Sequence, residues 1–466
     1  MSDSNPPARK SWPDYRAVWR WHFYASLFCI PFVILLSITG AIYLFKGEIE
    51  AWQDRPFDQL VLQGARQSAA AQISAALAAF PGSALHAFEV PRESDDAVRV
   101  TVRHDGETQR VYIHPHTLEV LHSVVDRDRF MRQMFRLHGE LMLGNRGSNL
   151  VELAASWTII MIATGLYLWW PRNARGLAGV LYPRLRGGTR MFWRDLHSVT
   201  GVWISTLAIF LLVSGLPWAK FWGDNFKSVR RVTGTAVARQ DWSNTSSSER
   251  RRTTSGSGEH SDHGGSRGSG RSASEEIPPP DYAAVDRVVA AVEPLKLEHP
   301  VVIAPPSRGS KHWTAKSMTP NRPWRVNLEV DGRTGEVVSR EDFRDRHIID
   351  QAVSVGIAAH EGRLFGWPNQ LLGLITTAGL ILLSVSGLIL WWRRRDQGVL
   401  GAPKVALDPR WSWSLVLAIV FFGVCLPLFG ASLLVVLAIE RLILSRIPPV
   451  SRWLGLRVAV PTAGTA

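Results

Sequence analysis

Long apolar runs alternate with long polar stretches along this chain. The runs cover roughly 22–45, 148–170, 196–218, 368–392 and 411–442. Each reaches the ~20 residues that a helix needs to cross a ~30 Å hydrocarbon layer. Helix is the expected form, because lipid offers no partner to exposed backbone groups. The first run is too long for a removed leader and is read as an anchor. The fifth contains Pro427 and Gly430 midway; a single kinked crossing is favoured over a re-entrant pair.

The polar stretches 46–147 and 219–367 carry their own pattern. In the first, 69–80 reads as a small-residue helix ended by Pro81-Gly82, followed by strand-like alternation at 97–103 and 109–113 and a turn and strand at 114–121. The second repeats the plan, with a helix at 283–292 and strands around 324–338. The expected fold is a membrane all-α helical bundle of about five spans, built from duplicated two-helix units, with two small α+β modules at 46–147 and 281–345. Between them, 233–280 is dense in Ser, Gly, Arg and His without apolar periodicity, so it is read as a disordered linker.

Charge orients these elements. The net charge is +13. Basic residues crowd the arm 1–21 and the loops 171–195 and 393–410. By the positive-inside bias these short segments lie in the cytoplasm and the two long polar regions face the other side. The tail 443–466 is also basic, although a single fifth crossing would put it outside. The two cysteines, Cys29 and Cys425, both fall in apolar runs and no CxxC occurs. That excludes a four-thiolate iron–sulfur site, c-type haem attachment and a zinc ribbon.

Candidate chemistry comes from four histidines at repeated offsets. His22 precedes Gly40 by 18 residues, and His197 precedes Gly215 by the same 18. His138 lies 27 before Gly165, and His360 lies 27 before Gly387. The first two fall at the cytoplasmic ends of their runs, the second two just outside theirs. Two pairs follow, His22 with His197 and His138 with His360. Paired imidazoles at two membrane faces suit two b-type haems, one per pair, with one-electron transfer as the chemistry. The repeated glycines serve either close helix packing or room for a macrocycle. A proton relay would also want carboxylates in the spans; only Glu152 is near one, and its repeat counterpart is Leu374. Arg20, Arg194, Arg136 and Arg363 accompany the histidines as possible propionate partners, ordinary interfacial arginine being the favoured role. His114 and His116 read as a structural turn, and His260 and His263 as solvated linker, before either reads as a metal site.

The segments DLHSVTG, RLHGELMLGNRGSNL with TGLYLWWPR, and AAHEGRLFGWPNQ with SGLILWW resemble the PepSY-associated transmembrane family. The turns HPHTLEVL and DGRTGEVV resemble strand turns of PepSY modules, although HPHT replaces the usual acidic-Pro-x-Thr-Gly turn. The resemblance covers about 15–400 and implies a bacterial inner-membrane protein akin to ferric-siderophore reductases and iron-uptake factors, with His22, His138, His197 and His360 as ligands of haem b. On that footing the expected activity is reduction of a ferric siderophore or other ferric chelate in the periplasm. No nicotinamide or flavin domain is legible, so the electron donor would be separate, a quinol or a cytoplasmic reductase. The competing expectation is a non-redox membrane protein whose outer modules bind peptides or a partner, or an accessory factor in siderophore or haem uptake.

Overall fold

The computed structural model describes residues 15–171, 176–235, 281–307, 310–403 and 413–456. The linker 233–280, with His260 and His263, falls almost wholly outside the described residues. The chain divides into two compact units, Met1–Phe45, Met134–Ala236 and His360–Ala466 forming one, and Lys46–Gln133 and Val237–Ala359 the other.

The second unit is organised by period-two burial. Val98, Val100 and Val102 are fully buried on alternate positions of one strand, the mark of a sheet with one covered face. Eight strands form: β1 (Ala84–Val90), β2 (Val98–His104), β3 (Glu107–Ile113), β4 (Val120–Val125), β5 (Val301–Ala304), β6 (Trp313–Ser317), β7 (Asn327–Val330) and β8 (Val337–Glu341). They make one antiparallel sheet in the order β4-β3-β2-β1-β5-β6-β7-β8. Two four-stranded meanders therefore join through their first strands, with Phe88 opposite Ile303 and Val90 opposite Val301. The helices Ala69–Ala79 and Ala284–Val292 contribute to the single apolar core with Ile73, Val285 and Val288 against Phe88, Val100, Ile303 and Leu328. On the other face Arg99 bridges Asp54, Asp58 and Glu89. The two separate modules expected from the sequence are thus corrected to two halves of one sheet. Pairing β1 with β5 removes two bare strand edges, which isolated meanders would leave exposed.

In chain order come helices α1 (Tyr15–Leu44), α2 (Phe130–Glu140), α3 (Asn145–Trp169), α4 (Thr189–Gly215), α5 (Lys220–Val232), α6 (Ile348–His360) and α7 (Trp367–Arg394); α2 passes into the first unit at Met134, and α6 belongs to the sheet unit up to its last residue, His360. The long helices α1, α3, α4 and α7 form a ring, α1 touching α3 and α7, and α4 touching the same two. Each is long and apolar enough to cross a membrane, as is a fifth, Pro427–Arg446. Gly144 and Gly366 stand just before α3 and α7 with φ of 59° and 67°, values that a side chain makes costly. Each turns the chain from a histidine-bearing helix into a long span.

The single crossing expected at 411–442 is corrected to a hairpin of α8 (Trp413–Cys425) and α9 (Pro427–Leu442). Leu426 leaves helical geometry, with φ −125° and ψ 77°. A Cβ on Gly430 would lie 3.0 Å from the Cα of Gly423, residues that a continuous helix would hold about 10 Å apart. At the hairpin tip the Trp222 indole donates to the Cys425 carbonyl (3.0 Å). The chain then returns, and α10 (Pro448–Leu454) packs beside the start of α1: the Tyr24 hydroxyl donates to Leu454 and the Leu400 N–H to Trp453.

Candidate functional site: two facing imidazole pairs

His22 sits on α1 and His197 on α4, across the ring of long helices from each other. Their ring centres are 6.5 Å apart and their planes cross at 82°. His138 lies near the end of α2 and His360 is the last residue of α6. Their rings are also 6.5 Å apart and cross at 79°. The sequence-derived pairing is the pairing in space.

One environment is built four times. The Nδ1 of His22 lies 3.0 Å from the Met161 carbonyl and 3.1 Å from the Thr164 hydroxyl. The Nδ1 of His197 lies 3.1 Å from the Leu383 carbonyl and 3.0 Å from the Ser386 hydroxyl. At the other end the Nδ1 of His138 is 2.9 Å from the Thr39 hydroxyl, and that of His360 is 3.0 Å from the Ser214 hydroxyl. Every hydroxyl immediately precedes a glycine, and that glycine faces the same ring. A Cβ at Gly165 would stand 3.1 Å from Cε1 of His22, at Gly40 3.2 Å from that of His138, at Gly387 3.4 Å from that of His197 and at Gly215 3.5 Å from that of His360. The repeated glycines therefore accommodate the imidazoles themselves. Each histidine leans on the long helix of its own half and faces a histidine of the other half.

Burial holds His138 below the ordinary imidazole value, at about 4, with His360 adding to it, and burial holds His360 at about 4. The neutral form is the one that ligates a metal. With Nδ1 engaged, Nε2 is the nitrogen left to each ring. Metal–imidazole bonds of about 2.0–2.1 Å, made in line from both sides, place ring centres roughly 6 Å apart. Among the described residues no group of three or more His, Cys, Asp or Glu could hold a metal ion. A metal between these rings would need its other ligands from elsewhere, as a bis-histidine haem takes them from its porphyrin. Each pair fits that demand. Gly40, on the helix of His22, faces His138, so the two pairs are separated by 18 residues of α1, about 27 Å of helix rise.

The accompanying arginines are engaged by the protein. Arg20 donates to the Pro403 carbonyl (3.0 Å), Arg194 pairs with Asp195 (2.9 Å), Arg136 lies 3.9 Å from Glu140, and Arg363 also has a partner. Glu152 is buried and accepts from the N–H groups of Phe221 and Trp222, capping the start of α5. The Nδ1 of His114 accepts from the N–H groups of His116 and Thr117, a turn-stabilising role.

Sequence reasoning used Gly40, Gly165, Gly215 and Gly387 as landmarks and missed what the preceding Thr39, Thr164, Ser214 and Ser386 do. The visible trace was a hydroxyl residue before every repeated glycine. It also missed Trp218, whose indole meets the His360 ring edge-on at 5.9 Å.

A family model described as PepSY-associated TM region matches residues 19–394. No curated protein matches the chain.

Proposed function

The chain belongs to the PepSY-associated TM region family, and from that premise we propose that it is a di-haem b protein of the bacterial inner membrane that reduces ferric chelates, ferric siderophores among them, on the periplasmic side. The observation that carries this reading is the facing of two imidazoles 6.5 Å apart, twice, with every Nδ1 engaged. His22 and His197 would hold one haem, and His138 and His360 the other. A haem held by two imidazoles would supply one-electron transfer rather than oxygen binding.

The protein's own contribution is placement and exclusion. The long helices hold the pairs about 27 Å apart, close to the ~30 Å thickness of the hydrocarbon layer. With Nδ1 engaged, the half-buried rings keep Nε2 available as a ligand. The substrate would be the ferric chelate itself, which gains one electron. Fe(II) is held less tightly by hard oxygen ligands than Fe(III), so reduction releases the iron. The electron would come from a separate donor, a quinol or a cytoplasmic reductase, at the His22 and His197 end.

Purified protein from haem-sufficient cells should be red, with a low-spin b-type spectrum and two haems per chain. After dithionite reduction it should be reoxidised by a ferric siderophore faster than by buffer alone. A colourless preparation would overturn the haem reading in favour of a non-redox protein that binds peptides or a partner. Equal reoxidation rates would overturn the reductase reading while leaving the haems in place.

A further inference from the structure

The four hydroxyls beside the histidines are fixed in their own right. Thr39 donates to the Leu35 carbonyl (2.9 Å), Thr164 to Ile160 (2.9 Å), Ser214 to Phe210 (2.7 Å) and Ser386 to Leu383 (3.1 Å). A hydroxyl carries one proton. With that proton given to a helix carbonyl, it has only lone pairs to offer the imidazole. Each Nδ1 also meets a helix carbonyl, of Met161 for His22, Leu383 for His197, Leu36 for His138 and Leu211 for His360. A carbonyl only accepts, so the proton sits on Nδ1 and Nε2 is left bare on all four rings. The second torsion of a histidine is broad and roughly two-fold, so nothing inside the side chain sets its ring angle. Here outside contacts set it: the hydroxyl holds Nδ1 together with a helix carbonyl, Met161 for His22 and Leu383 for His197, and the adjacent glycine leaves Cε1 a flat floor 3.1–3.5 Å from where a Cβ would be.

We propose that Thr39, Thr164, Ser214 and Ser386 are positioning residues that fix the Nδ1 tautomer and hold the imidazole planes of each pair near perpendicular, so that both haems carry crossed axial ligands. The crossing angles of 82° and 79° are the same at the two ends although different elements carry the rings. What the two ends share is the hydroxyl–glycine step. This inference rests on the haem reading above and adds to it the orientation of the ligands and the residues that impose it. Partners of this kind typically change metal affinity about 10–100-fold when removed.

The test is electron paramagnetic resonance of the oxidised full-length protein in detergent, read beside haem content. Crossed imidazoles give a strongly anisotropic low-spin signal, whereas parallel ones give a rhombic signal. The wild type should show the anisotropic signal for both haems. Thr39→Val with Ser214→Ala should convert or broaden about half of it and weaken retention of that haem about tenfold or more. Thr164→Val with Ser386→Ala should do the same to the other half. The exchanges Thr39→Ser with Ser214→Thr keep a hydroxyl at each position and should keep the signal. A rhombic wild-type spectrum would overturn the inference, as would Val/Ala variants with unchanged haem content and signal. Haem loss in the hydroxyl-preserving exchanges as well would also overturn it, because packing alone would then explain the effect. A wild-type protein with no haem would instead sink the functional reading beneath it.

Discussion

The two ends of the bundle reach the same ring geometry by different mechanical routes. His22 and His197 stand within long helices, α1 and α4, so their position is fixed by the spans themselves. His138 and His360 stand at the ends of the separate helices α2 and α6, and a tight turn through Gly144 or Gly366 connects each to the next span. Yet the ring centres are 6.5 Å apart in both pairs and the crossing angles differ by only three degrees. The element that carries the histidine therefore does not set the geometry. The helix face that receives it does, through a hydroxyl and a glycine.

Loss of a ligand is the strongest way to separate the ends. His138→Ala or His360→Ala should abolish one of two haem signals and spare the other, and His22→Ala or His197→Ala should do the converse, as read by haem content and redox titration. Loss of both haems from any single replacement would mean that the ends are not independent. Next come the turns. Gly144→Val or Gly366→Val forces a β-branched residue into positive φ, which costs on the order of 1–3 kcal/mol. Haem retention should fall at the His138 and His360 end and stay unchanged at the other. An equal loss at both ends would break the contrast between turn-borne and span-borne ligands. Smaller and symmetric effects are expected from Gly40→Ala and Gly165→Ala. Each added methyl would stand 3.1–3.2 Å from a Cε1 and must displace the ring by a few tenths of an ångström. Haem retention at the affected end should drop up to about tenfold. Arg194→Ala and Arg136→Ala should do least, because Arg194 is largely exposed and its buried partner Asp195 keeps Arg184, while Arg136 lies 3.9 Å from a half-exposed Glu140, where ion pairs contribute little. Haem content in these two variants should match the wild type; a specific loss of one haem would restore the propionate role.

The candidate site was legible because duplication copied its offsets. A histidine 18 or 27 residues before a glycine means little once, but twice in register it identifies partners without any structure. What the hydroxyls do was not legible, since serine and threonine in a span commonly bond back to their own helix, and only the fold shows which of them also meets a ring. Several strands of the sheet unit were legible, but not its unity. The strands Ala84–Val90 and Val301–Ala304 were passed over, the second being only four residues long, and they are the two that join the halves. Their pairing spans more than two hundred residues of chain and leaves no local periodicity. The hairpin at Leu426 was misjudged for a related reason. Proline in an apolar run either kinks a helix or starts a new one, and the contact between Gly423 and Gly430 decides between them.

Each half braces its own imidazoles but completes neither couple alone, and the first strands of the two meanders likewise seek each other across the repeat. Were the halves two polypeptides, occupancy would rise and fall with their abundance. Joining them in one chain replaces that bimolecular encounter with an effective local concentration set by tether length, so capture of the proposed haems would be insensitive to how much protein the membrane contains. Fusion also frees the copies to diverge: threonine braces one half and serine the other, a difference that a symmetric dimer could never hold.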